Sequence, residues 1–127
     1  MRDKVLVIED EPVIGEMMCI LLEIEGYKVI SLNDTASALR KLKAEEVALV
    51  MLDLNLAGED GRDVCRYIKE QPDLQHTPVV LVSASPDLPQ IKEECGADDY
   101  LSKPFELADF VQKVKDSISR GQASNVA

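Results

Sequence analysis

The apolar positions along this chain change period several times. Val5-Leu6-Val7-Ile8 is an unbroken apolar run, the pattern of a strand covered on both faces. Pro12 suits a first helical turn. Ile14, Met17, Met18, Leu21 and Leu22 then recur at helical spacing up to Gly26, a C-terminal stop. Lys28 to Ser31 reads as a second strand, and Asn33 or Asp34 can cap a helix running to about Ala44, with Ala38, Leu39 and Leu42 inward. Val47 to Leu52 is a second buried run that stops at Asp53. Gly58 and Gly61 mark a loop, and Val64, Tyr67 and Ile68 share one face of a helix ending near Gln71. Pro78 to Val82 is a third buried run, Gln90 to Cys95 a short helix stopped by Gly96, and Tyr100-Leu101 a last strand. Leu107, Phe110, Val111, Val114 and Ile118 form an apolar stripe on a final helix. From Ser119 the residues are polar and small. A domain over residues 1–119 with a flexible tail over 120–127 is therefore expected.

Five strands alternating with five helices predict an α/β fold, a five-stranded parallel sheet with helices on both faces. Ligands of such sheets bind outside the carboxyl ends of the strands. Glu9, Asp10 and Glu11 follow the first strand, Asp53 the third, Ser83 and Ala84 the fourth, and Ser102, Lys103 and Pro104 the fifth. Crowded carboxylates repel until a proton or a cation relieves them. An all-oxygen set with few carboxylates suits Mg²⁺. A carboxylate can also attack phosphorus and carry the phosphoryl group, a transfer that needs positioning and charge neutralisation above all. A lysine and a hydroxyl stand ready for that, and no conventional catalytic base is evident.

Composition narrows this further. At 127 residues the chain fits one domain with a real core. Its net charge of −10, from 24 acidic and 14 basic residues, argues against gripping DNA or RNA, which takes clustered Lys and Arg. No apolar run approaches the ~20 residues that span a bilayer. The start, Met1-Arg2-Asp3-Lys4, lacks signal-peptide features, so a cytoplasmic location is expected. Cys19, Cys65 and Cys95, odd in number and without CxxC spacing, read as small buried hydrophobes in a reducing compartment. His76 reads as an exposed loop residue, and Met17-Met18 as core filling.

Four stretches, in this order and each at a strand end, resemble the receiver domain of two-component response regulators. They are Val5 to Pro12, Leu52 to Leu56, Val82 to Ala84, and Gly96 to Phe105. The likeness spans about residues 4 to 118. It implies the flavodoxin-like (βα)5 topology with strand order 2-1-3-4-5. It implies Asp53 as phosphoacceptor, with Asp10 ligating Mg²⁺ directly (Mn²⁺ as a substitute), Glu9 acting through water, and the Asn55 backbone carbonyl completing the metal site. It further implies Ser83 and Lys103 as phosphoryl-stabilising groups, Ser83 and Tyr100 as switch residues, and a cis bond at Lys103-Pro104. The implied partners are a histidine kinase or histidine phosphotransfer protein, and a downstream protein bound by the face of the fourth helix, fifth strand and fifth helix. Direct nucleic-acid or membrane binding is not implied. Nor is enzymatic activity, beyond the domain's own Mg²⁺-dependent phosphorylation and dephosphorylation.

The chain departs from the family pattern in three places. Glu9 replaces the commoner Asp, and Ala57 stands where Pro is frequent, loosening the loop after Asp53. Ser83 and Lys103 stand 20 positions apart, closer than is usual, with Pro86 and Pro89 between them. A short, mobile fourth helix and an altered output surface are expected from this. Two other classes lack residues that they need. A phosphatase with an aspartyl-phosphate intermediate needs an acid at position 55, where this chain has Asn55. A flavin or nucleotide module needs a Gly/Ser/Thr-rich loop after the first strand, where Glu9-Asp10-Glu11-Pro12 would repel a phosphate. A free-standing regulator, a receiver from a hybrid kinase or longer regulator, and an unphosphorylated receiver-like interaction module all stay open.

Overall fold

Each continuous apolar run forms a strand sealed from solvent on both faces. The computed structural model describes residues 4–56 and 58–124. Its elements are β1 (Lys4–Ile8), α1 (Pro12–Ile24), β2 (Lys28–Leu32), α2 (Thr35–Ala44), β3 (Leu49–Asp53), β4 (Asn55–Leu56), β5 (Glu59–Asp60), α3 (Gly61–Glu70), β6 (Val79–Ser83), α4 (Leu88–Cys95), β7 (Asp99–Ser102) and α5 (Leu107–Ser124). Five strands form one parallel sheet in the order β2-β1-β3-β6-β7. This is the expected 2-1-3-4-5 order once β4 and β5 are set aside. Those two make a separate antiparallel ribbon, Asn55 opposite Asp60 and Leu56 opposite Glu59. The residue expected to loosen this segment, Ala57, lies outside the described residues.

Side chains of alternate parity along the central strands feed two cores. Leu6, Ile8, Val50, Leu52, Val79 and Leu81 meet Ala38, Val64, Ile68, Leu88 and Ile91 on one side. Val5, Val7, Leu49, Met51, Val80 and Val82 meet Met18, Leu22, Phe110 and Val114 on the other. Such burial is the main stabilising term of the fold.

The helix ends follow capping chemistry. Asp34 caps α2 by accepting from the Ser37 N–H at 2.8 Å, and Asp60 caps α3 by accepting from the Arg62 N–H at 2.9 Å. Gly96 ends α4 at φ 80°, a conformation only glycine takes without steric cost. Helix α4 has the expected shortness, 8 residues, but starts at Leu88, because Pro89 is tolerated in a first turn. Lys103-Pro104 is cis.

Two expectations are corrected. Helix α5 does not fray at Ser119 but continues to Ser124. Gly121, a small residue that read as tail, is buried, and a Cβ on it would lie 2.5 Å from Pro78 Cγ. Smallness there serves close packing, and only residues 125–127 of the expected tail lie outside the described residues. Leu107, assigned to the inward stripe, is 51% exposed, since it opens the helix ahead of the turn that packs on the sheet. Met18 is core as expected, Cys65 and Cys95 are buried, Cys19 is half-buried, and His76 is exposed.

Candidate functional site

Parallel register carries the strand ends to one edge of the sheet. Ile8 pairs with Leu52, Asp53 with Val82, and Ser83 with Ser102. The ladder continues past the strands through Glu9 N–H to Leu32 O at 3.1 Å and Lys103 N–H to Ser83 O at 2.9 Å. The polar residues following each apolar run therefore converge on one cleft.

Three carboxylates meet there. Glu9, Asp10 and Asp53 each offer an oxygen, and all three oxygens lie within 4.8 Å of one another. Glu9 and Asp53 are only 5% and 3% exposed, so water does little to screen them. The Lys103 ammonium enters from the β7 side, 3.1 Å from Glu9 Oε1, 3.6 Å from Asp53 Oδ2 and 3.4 Å from Glu11 Oε1. Asp53 Oδ1 also accepts the Asn55 N–H at 3.2 Å, and Glu9 Oε2 the Glu11 N–H at 3.3 Å.

One lysine does not balance this crowd. Burial first, then a hydrogen bond to the Asp53 carboxyl, pushes Glu9 up to about 7. Burial would lower the Lys103 ammonium, but the Glu9 hydrogen bond and the charges of Glu9, Asp53 and Glu11 outweigh it and raise its pKa. Glu9 Oε1 is buried with no hydrogen-bond donor, the Lys103 ammonium donating instead to Glu9 Oε2 at 3.3 Å. A buried, donor-less oxygen beside two further carboxylates is the position a hard cation would satisfy. The all-oxygen set fits Mg²⁺.

The remaining expected residues sit as follows. Ser83 is 1% exposed at the end of β6, and its hydroxyl accepts the Ser85 N–H at 3.1 Å. Asn55 is exposed, two residues past Asp53 on the ribbon. Tyr100 is half-buried on β7, away from the carboxylates in the register, with the Lys113 ammonium 5.9 Å from its ring centre. Glu9, Asp10, Asp53 and Lys103 are thus gathered directly, with Ser83 and Asn55 at the rim.

Two contributors had no assigned role in the sequence. Glu11 shares Lys103. Gly61 brings the start of α3 against the Asp53 backbone, where a Cβ would lie 2.3 Å from the Asp53 carbonyl oxygen. The Asp60-Gly61 pair opening a helix was the available signal for the second, and the place of Glu11 beside Glu9 and Asp10 after the first strand was the signal for the first.

Fold and cleft together define a flavodoxin-like α/β protein whose sheet edge presents an acidic, lysine-bordered site. The chain belongs to the response regulator receiver domain family, whose profile matches residues 5–115. It is 35% identical over 124 residues to the DNA-binding response regulator MtrA of Mycolicibacterium smegmatis, a match covering 96% of this chain and 53% of the relative. The chain thus spans about half the length of the curated relatives it matches. Among solved structures it is similar to the signal receiver domain of a signal transduction histidine kinase from Syntrophus aciditrophicus. That match has a TM-score of 0.84 and 32% identity, over 92% of this chain and 90% of the other. It is also similar to the receiver domain of the sensor histidine kinase PA1611 from Pseudomonas aeruginosa, a structure with a magnesium ion coordinated in the active site cleft. Here the TM-score is 0.83 and the identity 26%, over 94% of this chain and 99% of the other.

Proposed function

We propose that this receiver accepts a phosphoryl group on Asp53 from a histidine kinase or histidine phosphotransfer protein and switches a protein-binding face in response. The observation that carries it is the Asp53 carboxylate, buried at the end of β3, inside an oxygen cluster and 3.6 Å from the Lys103 ammonium. An Asp53 oxygen forms the O–P bond, the P–N bond of the donor phosphohistidine breaks, and its electron pair returns to the imidazole nitrogen. Lys103 then neutralises a phosphoryl oxygen, and the Ser83 hydroxyl, released from Ser85, donates to another. Asp10, Asp53 and the Asn55 carbonyl would hold Mg²⁺, with Glu9 acting through water and Mn²⁺ able to substitute. The bound ion supplies positive charge that offsets the carboxylates and the developing phosphoryl charge. The magnesium ion in the PA1611 receiver supports this assignment.

With Lys103 drawn toward the phosphoryl group, its ties to Glu9 and Glu11 loosen. Tyr100 turns inward, and the face of α4, β7 and α5 shifts toward a target-binding state. The chain catalyses only its own phosphorylation and its return to the free carboxylate. MtrA and the Syntrophus kinase show such receivers in both regulators and kinases, and the proposal covers either setting. Among the described residues no helix is long and apolar enough to cross a membrane.

The test is incubation with Mg²⁺ and acetyl phosphate followed by intact-mass analysis. One phosphoryl adduct is expected, absent in Asp53→Asn and absent when Mg²⁺ is chelated. An unmodified protein under every condition would leave a receiver-like interaction module instead.

A further inference from the structure

Three carboxylates lie within ion-pair distance of Lys103, and they are not alike. Glu9 and Asp53 belong to the buried oxygen cluster of the cleft. Glu11 stands outside that cluster with its side chain 60% exposed, so the cation site leaves it unassigned. Yet the ammonium donates long hydrogen bonds to Glu9 Oε2 at 3.3 Å and Glu11 Oε1 at 3.4 Å, while Asp53 Oδ2 lies 3.6 Å away. At that last distance charges attract but no hydrogen bond forms. The lysine thus turns its protons to two glutamates and not to the aspartate.

The backbone aims Glu11 at this contact. Glu11 is the N-cap of α1, extended at φ −87° and ψ 109°, and Pro12 fixes the first helical residue after it. Its N–H donates to Glu9 Oε2 at 3.3 Å, and its carbonyl accepts the Gly15 N–H at 2.9 Å. The residues preferred at an N-cap are Ser, Thr, Asp and Asn, whose short side chains accept from the orphan N–H groups of the first turn. Glu11 makes no such side-chain bond. Its longer arm crosses instead to a lysine 92 positions away. The helix start forgoes a cap for a contact with the lysine of the cleft.

We propose that Glu11 is a positioning residue that holds Lys103 back from Asp53 in the unphosphorylated protein and so slows phosphoryl uptake. The inference rests on the phosphoryl transfer to Asp53 proposed above. An ammonium drawn to the phosphoryl group gives up the Glu11 contact, so that contact adds to the barrier of transfer. Once Asp53 carries the phosphoryl group the contact is already broken, and Glu11 has no part in the hydrolysis that follows. A half-exposed ion pair is weak, so its loss changes the rate by about two- to fivefold.

The test measures, by intact mass, the rate at which limiting acetyl phosphate labels the full chain in Mg²⁺. Glu11→Gln keeps the arm and removes its charge; it should label about two- to fivefold faster than the parent. Glu11→Asp keeps the charge and shortens the arm, and should also label faster. Its urea midpoint should rise, because aspartate caps a helix well. Faster labelling of Glu11→Asp with a lowered midpoint would assign the effect to a loosened α1 and overturn the proposal. Glu16 is exposed beside Glu9 and Asp10 and makes no ion pair with Lys103. Glu16→Gln should therefore label at the parental rate; matching the acceleration of Glu11→Gln would reduce the effect to general repulsion of an anionic donor. After removal of acetyl phosphate, the adducts of the parent and Glu11→Gln should decay at one rate. Decay accelerated as much as uptake would place Glu11 in hydrolysis and refute the hold on Lys103, as would parental labelling in both Glu11 variants. A double-mutant cycle reads the hold without phosphoryl chemistry. The urea midpoint shift caused by Glu11→Gln should differ between the parent and a Lys103→Gln background, and equal shifts would sink the idea. A parent chain that takes no phosphoryl group would defeat the Asp53 assignment and the rate effect with it, an outcome distinct from parental labelling in the variants.

Discussion

Glycine at position 61 shows how closely one residue can bind fold to chemistry. Its N–H donates to the Leu54 carbonyl at 2.9 Å, and its missing side chain lets α3 begin against the backbone of Asp53. A methyl group here would have to displace main chain, and such overpacking costs about 1–3 kcal/mol. Gly61→Ala should therefore lower the urea midpoint at unchanged m-value and slow acetyl phosphate labelling of Asp53. Labelling at the wild-type rate would show that the carboxylate tolerates the shift. Asp53, Asp10, Ser83 and Lys103 were legible in the sequence because each stands within two residues of the end of an apolar run, and parallel strands carry such positions to one edge. The donor-less oxygen of Glu9 and the Glu11–Lys103 contact were not. Each depends on side-chain geometry across distant segments, for which linear spacing offers no sign.

Elements were legible wherever their pattern was long and periodic, and failed where small or polar residues served packing. The ribbon of β4 and β5 is too short to show any alternation, and Glu59 within it reaches the Thr35 N–H at the start of α2, 3.0 Å away. Helix α5 outran its apolar stripe because Gly121 packs on Pro78. Helix propensity alone would favour alanine over glycine there by ~1 kcal/mol. Gly121→Ala should nevertheless lower the melting temperature, because the added methyl meets a proline ring; a rise would show that the end of α5 stands off Pro78. At the start of α2, the hydrogen bond from the Ser37 N–H holds the Asp34 carboxyl below its usual pKa. The stabilisation this gives is complete above the unfolded-state pKa and is lost as pH falls through the lower folded value. Asp34→Ala should be less stable than the parent at neutral pH, and the two should converge in acid, as read by urea unfolding at several pH values. A gap that persists in acid would assign the effect to something other than the cap.

At the scale of the whole molecule, the parallel sheet separates chemistry from connection. The carboxyl ends of the five sheet strands lie at the edge that carries the cleft, while the turns after α1, α2, α3 and α4 lie at the opposite edge. The described chain also starts and finishes near that far edge. The Ala48 N–H bonds to the Lys4 carbonyl at 2.8 Å, and Ala48, Pro78, Ile118 and Gly121 line one groove. The order in which the segments are threaded is thus separable from the site they assemble. Joining the two ends with a Gly/Ser linker and opening the chain between Glu25 and Gly26, where a side chain would meet only open space, should give a circular permutant that still labels on Asp53. Opening it between Ala84 and Ser85 would part the Ser85 N–H from the strand that presents Ser83, and should cost labelling even where the fold survives. Comparing phosphoryl uptake by the two permutants, with circular dichroism as the control for folding, checks this; equal uptake would show that chain continuity at the cleft is dispensable. Seen this way, the far edge of the sheet is where the chain can be cut, rejoined or extended without disturbing the cleft.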